Sequence, residues 1–115
     1  KPEAQSRLGM IYTQGSKKDY SKAFKWFRRA AKRGDANAQF HLGQLYEAGD
    51  GIDKNLEMAA KWYHMAADQN HSKAQANLGW MYINGAGVKE DLDEAEKWYK
   101  RSESSGKYPR KKAHN

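Results

Sequence analysis

Residues 74–99 read AQANLGWMYINGAGVKEDLDEAEKWY. In the first half Ala74, Leu78, Met81 and Tyr82 fall at i, i+4, i+7 and i+8, the spacing of one apolar face of a helix. Gly85 follows at the point where a helix is closed by a residue in the left-handed conformation, which glycine adopts without strain. In the second half Ala95, Trp98 and Tyr99 form a second apolar face. Acidic Glu90, Asp91, Asp93 and Glu94 come at its start, and basic Lys97, Lys100 and Arg101 at its end. That order complements the helix dipole at both ends. The stretch is therefore a pair of short amphipathic helices around a glycine-rich turn.

The chain writes this unit three times. Trp26, Trp62 and Trp98 are 36 residues apart, as are Ala23, Ala59 and Ala95. The first halves align through Ala4/Ala38/Ala74, Leu8/Leu42/Leu78, Gly9/Gly43/Gly79, Tyr12/Tyr46/Tyr82 and Gly15/Gly49/Gly85, spaced first by 34 and then by 36. The first copy thus lacks two residues after Gly15, where the others carry Gly49-Asp50-Gly51 and Gly85-Ala86-Gly87. Self-similarity at such a period marks stacked helical repeats. The spacing predicts helices over 3–14, 19–33, 36–48, 55–69, 72–84 and 91–104. The mid-helix glycines Gly9, Gly43 and Gly79 each cost about 1 kcal/mol against alanine. Their presence in every copy predicts close approach of the partner helix. The Trp and Tyr ladders are read as packing, since an aromatic stripe at helical spacing is a core face.

The pattern A-x-x-x-L-G-x-x-Y-x-x-G-x-G-[VI]-x-x-[DN]-x-x-x-A-x-x-W-Y-x-x-A-A closely resembles the Sel-1-like repeat family, relatives of the tetratricopeptide repeats. Copy two departs little, with Ile52 for Val, Asn55 for Asp and Asn70 for the last Gly. Copy one has Phe27 for Tyr, and copy three has Ser102-Glu103 for the paired Ala. The resemblance implies an all-α, right-handed α/α superhelical solenoid of three helix-turn-helix repeats at about 3–36, 37–72 and 73–106. Residues 1–106 form one domain on this reading and 107–115 a basic, disordered tail. Glu96, Ser102 and Glu103 are expected to leave the outer face of the last helix wet, as a terminal repeat requires.

Composition narrows the function. Of 115 residues 38% are hydrophobic and 12% aromatic, with no cysteine, which suits a core one helix layer thick without disulfides or thiolate chemistry. No apolar run is long enough to span a bilayer. The chain opens at Lys1 rather than Met, so both a cytoplasmic and a periplasmic or secreted setting stay open. The net charge of +7 is local. Residues 17–33 hold eight Lys and Arg against one Asp, whereas 34–106 hold seven basic and twelve acidic residues.

Columns that vary between copies are the candidates for function. They run Ser6/Phe40/Ala76, Met10/Gln44/Trp80 and Thr13/Glu47/Ile83. The resemblance places the first helix of each pair on the concave side. Met10, Thr13, Phe40, Gln44, Glu47, Trp80 and Ile83 are therefore expected to line a concave groove that binds a peptide or protein segment, with Phe40 and Trp80 as anchors. The competing reading has Phe40 and Trp80 filling gaps between repeats. A second feature is the basic stripe Lys18, Lys22, Lys25, Arg29 and Lys32, opposite the apolar face of the second helix. It is either a solvated face or a docking surface for an acidic protein, a membrane surface or nucleic acid. Nucleic acid is the least favoured, because no aromatic residue interleaves the stripe on its outer side.

No catalytic, cofactor or metal site is expected. His41, His64, His71 and His114 fall on different elements without ligand spacing. Ser104-Ser105-Gly106-Lys107 matches S-x-x-K without the partner motifs of penicillin-binding enzymes. Asn70-His71-Ser72 is a glycosylation triplet that matters only in a eukaryotic secretory pathway. The reading is a non-catalytic adaptor or scaffold of bacterial origin. The alternatives are an envelope or cell-wall-linked role through an unrecognised catalytic or ligand site, and electrostatic docking through residues 17–33.

Overall fold

A computed structural model describes residues 1–13 and 19–104. Six helices follow in order: α1 (Pro2–Tyr12), α2 (Tyr20–Lys32), α3 (Ala36–Ala48), α4 (Leu56–Asp68), α5 (Ser72–Asn84) and α6 (Leu92–Ser104). Each boundary lies within two residues of the one read from the sequence. The helices pack as pairs, α1 on α2, α3 on α4 and α5 on α6, and successive pairs join through α2 on α3 and α4 on α5. No described residue forms a strand.

Each column of the repeat has a physical task. Asp19, Asn55 and Asp91 cap the second helix of their pairs, their side chains accepting from the backbone N–H groups of Lys22, Met58 and Glu94. Their own N–H groups donate to the carbonyls of Tyr12, Tyr46 and Tyr82, tying the start of the second helix to the end of the first. Gly49 and Gly85 close α3 and α5 at φ 74° and 62°. The glycine two residues further on, Gly51 or Gly87, also has positive φ. It lies against the start of the preceding pair's second helix, where a Cβ at Gly51 would stand 2.6 Å from the Tyr20 carbonyl carbon.

The mid-helix glycines admit a ring from the partner helix. A Cβ would stand 2.6 Å from Phe27 at Gly9, 2.7 Å from Tyr63 at Gly43 and 3.0 Å from Tyr99 at Gly79. Between pairs, the buried Gln39 and Gln75 donate to the carbonyls of Ala31 and Ala67, in the last turn of the preceding helix. Each of these carbonyls also accepts a backbone N–H, from Gly34 or Asn70, so the glutamine adds a second bond that ties the first helix of one pair to the end of the pair before. The matching Gln5 has a buried Oε1 without a partner among the described residues. Trp62 packs on the core of α2 and α3, and Trp98 on that of α4 and α5. Each thus locks its pair to the one before. Trp26 is half-buried, with Arg29 5.1 Å from its ring centre.

Ser102 corrects the expected wet outer face. It is fully buried and donates to the Ser72 carbonyl at 3.0 Å. A small hydroxyl can replace alanine there because the Ser72 carbonyl accepts its hydrogen, while Glu103 is exposed. Gly15, Lys18, the residues after Ser104 in S-x-x-K, His114 and the basic tail 107–115 lie outside the described residues.

Candidate functional site: a concave groove over Tyr63

The first helices of the three pairs face one open groove of about 590 Å³. Met10, Thr13, Gln44 and Glu47 of the varying columns line it, together with Tyr20, His41, Asp50, Tyr63 and Asn77. A smaller recess of about 100 Å³ is lined by Glu47, Asn77 and Trp80. Glu47 and Asn77 line both, so the two hollows share a wall. Trp80 is 49% exposed. Ile83 is 40% exposed and lines neither hollow.

Phe40 corrects the anchor assignment. It is only 5% exposed and belongs to the core of the second and third pairs. Its ring lies 4.7 Å from His71, stacked, and 5.7 Å from Tyr63. Successive residues of a helix are about 100° apart, so the column beginning at Ser6 turns into the joint between pairs. The neighbouring column holds His41 and Asn77, which do line the groove. This column also differs between copies (Arg7, His41, Asn77), so it carries the same signal as the other columns.

Glu47 is held in the wall that the two hollows share. Its Oε1 accepts from the Tyr63 hydroxyl at 2.6 Å, and Tyr63 is fully buried beneath Gly43. Burial first, then the hydrogen bond to and charge of Glu47, push the Tyr63 phenol far above its usual range. Tyr63 therefore stays a proton donor and Glu47 its acceptor.

His41 stacks on Phe27 at 5.0 Å and bonds Gln44 at 3.0 Å. His71 caps α5, its Nδ1 accepting from the Ala74 N–H, while Nε2 lies 2.9 Å from Asn37 Oδ1. An accepting Nδ1 requires the neutral ring with its proton on Nε2. Burial lowers the pKa of both histidines, and Lys73 lowers each further. No group of three or more His, Cys, Asp or Glu side chains able to hold a metal occurs among the described residues.

On the far side of the stack, Lys22, Lys25, Arg29 and Lys32 of the predicted stripe share a shallow face with Ser21, Phe24 and Arg28. Arg28 belongs to this face although the i, i+4, i+7 reading passed over it. No acidic residue lies on α2, whereas α4 and α6 carry the pairs His64–Asp68 and Lys97–Glu94.

A family model described as Sel1 repeat matches residues 2–35, 36–71 and 72–107. The chain belongs to the Sel1 repeat family. Sel1 repeat proteins in general mediate protein–protein interaction and are typically non-catalytic. Among solved structures it is similar to a Sel1 repeat protein from Oxalobacter formigenes, with TM-score 0.88 and 42% identity over 92% of this chain and 44% of that one. It also resembles a protective antigen of uropathogenic Escherichia coli with TM-score 0.88 and 33% identity, covering 91% of this chain and 23% of that one. Helicobacter pylori cysteine rich protein B shares the fold, with TM-score 0.79 and 24% identity over 91% of this chain and 83% of that one. Curated relatives include the rat DAP3-binding cell death enhancer 1, 46% identical over 54 residues, which are 47% of this chain and 11% of that protein. The chitin synthase regulator SKT5 of Saccharomyces cerevisiae is 52% identical over 40 residues, 35% of this chain and 6% of that one. The matches thus span about a tenth or less of these curated relatives. No described helix is long and apolar enough to cross a membrane.

Proposed function

We propose that this Sel1 repeat chain is a non-catalytic interaction module whose concave groove receives a peptide or protein segment. The observation that carries this reading is the exposed Trp80 at the end of a groove lined by residues that differ between copies. The repeat does not need a tryptophan there, since the matching residues are Met10 and Gln44. A half-exposed indole beside an open hollow offers a large rigid contact at low entropic cost. The identity to the Oxalobacter protein supports a bacterial source. The partner names of the rat and yeast relatives are not carried over, because only a small part of each is matched.

A photo-crosslinking residue at Gln44 tests the proposal in the full chain. The groove reading expects crosslinks to a defined partner segment, reduced when Trp80→Ala is added. Crosslinking at Gln44 that is indifferent to Trp80→Ala would contradict it.

The all-basic face of α2 favours a second reading, electrostatic docking to an acidic protein surface. Its five cations repel one another at i, i+3 and i+4 without internal compensation. A salt titration with DNA, RNA and anionic vesicles, set beside an acidic protein, separates the possible anions, because phosphate binding falls steeply with salt.

A further inference from the structure

The groove has a charge as well as a shape. Of the described residues that line it, Glu47 and Asp50 carry the charge, and none of them is a lysine or arginine. Neither carboxylate is ion-paired with a described residue, the recorded pairs being His64–Asp68 and Lys97–Glu94. His41 does not offset them near neutral pH, because burial favours its uncharged ring. Arg7 occupies the same column on α1 but is exposed and outside the lining.

Glu47 is also fixed in place. The fully buried Tyr63 hydroxyl holds one carboxylate oxygen at 2.6 Å. A carboxylate offers about four acceptor positions on two oxygens, so most remain for a ligand. Such a group meets a cation without first losing rotamer freedom, which preserves affinity. On one side of Glu47 lies the main hollow, and on the other the recess with Asn77 and Trp80.

We propose that the groove selects an extended segment bearing a lysine or arginine, its cation on Glu47 and Asp50 and a neighbouring large apolar side chain on Trp80. This rests on the groove reading above and adds the chemistry of the partner. A guanidinium or ammonium supplies only donors, matching a wall of acceptors. An acidic segment would meet two carboxylates that no described residue ion-pairs, and like charges brought together cost specificity.

The test uses a displayed library of random peptides selected against the full chain. The selected peptides are re-made and measured against intact protein, Glu47→Gln and Trp80→Ala. Glutamine keeps an oxygen for the Tyr63 hydroxyl and removes only the charge. Enriched peptides are expected to carry Lys or Arg beside a large apolar residue and to bind Glu47→Gln about tenfold more weakly, as loss of a charge-assisted bond implies. Replacing that Lys or Arg by Gln in the peptide should abolish the difference between intact protein and Glu47→Gln. Peptides that need Trp80 but show no basic preference, or bind Glu47→Gln unchanged, would overturn the charge assignment and leave the groove standing. Peptides indifferent to both variants but lost on K25E/R28E/K32E, or no enrichment at all, would overturn the groove and its charge together.

Discussion

Replacing Gly43 by alanine pits two opposing effects of known size against each other. In a helix interior the change favours folding by about 1 kcal/mol through backbone entropy. Here the new Cβ would stand 2.7 Å from Cε1 and 2.8 Å from Cδ1 of Tyr63. The ring cannot retreat, since it is fully buried and its hydroxyl is held by Glu47 at 2.6 Å. Overpacking of this kind costs about 1–3 kcal/mol, and two ring atoms below 3 Å with the ring pinned place it at the upper end. The net expectation for Gly43→Ala is destabilisation by roughly 1–2 kcal/mol, or a Tm lower by about 5–15 °C. Gly79→Ala is the internal control. Its Cβ would meet the half-buried Tyr99 ring at 3.0 Å and the Ala95 carbonyl oxygen at 3.3 Å, contacts that a shift of a few tenths of an ångström relieves. It should lie within about 0.5 kcal/mol of the parent, the propensity gain offsetting the contact. Urea denaturation followed by far-ultraviolet circular dichroism measures both. If Gly43→Ala were as stable as the parent, the glycine column would not exist to admit the ring.

Phe40 and Trp80 should behave oppositely. Phe40→Ala should cost about 3–5 kcal/mol by emptying a buried site, whereas Trp80→Ala should change urea stability by less than about 1 kcal/mol. The glutamines also divide. Gln75→Leu should cost about 1 kcal/mol through the lost bond to the Ala67 carbonyl, which still accepts from the Asn70 N–H and from Arg101, while Gln5→Leu, which removes an unpartnered oxygen, should be neutral or stabilising in the same melts. Acid should weaken the fold. His41 and His71 are lowered from the ordinary value of 6.5 in the folded chain. The unfolded chain therefore binds protons first, and the stability present above 6.5 is lost as pH falls through the folded values. The same melts taken from about pH 7.5 to 5 should show a falling Tm over the histidine range. The slope should be shallower in His71→Asn, where asparagine can still cap α5.

Much of the architecture was legible in the residues because the repeat states each constraint three times. Helix ends followed from glycine at positions that need positive φ and from the hydrophobic periodicity of each half. The mid-helix glycines announced a close approach before the rings of Phe27, Tyr63 and Tyr99 were seen to fill it. Both kinds of signal are local, set by backbone sterics and by hydrogen bonds a few residues long. The side on which a varying residue would fall was not local. Phe40 and His41 are adjacent and both differ between copies, yet one fills the joint between pairs and the other lines the groove. Which of them does so depends on how α3 is rotated against α4. Likewise nothing in the composition of residues 34–106, acidic as it is, indicated that Tyr63 would reach across sixteen residues to hold Glu47. The sequence by itself determined the stack of helix pairs, because its periodicity encodes which faces must be buried. Only the tertiary structure decided which varying residues share a surface, because that depends on the rotation of each helix against its neighbours.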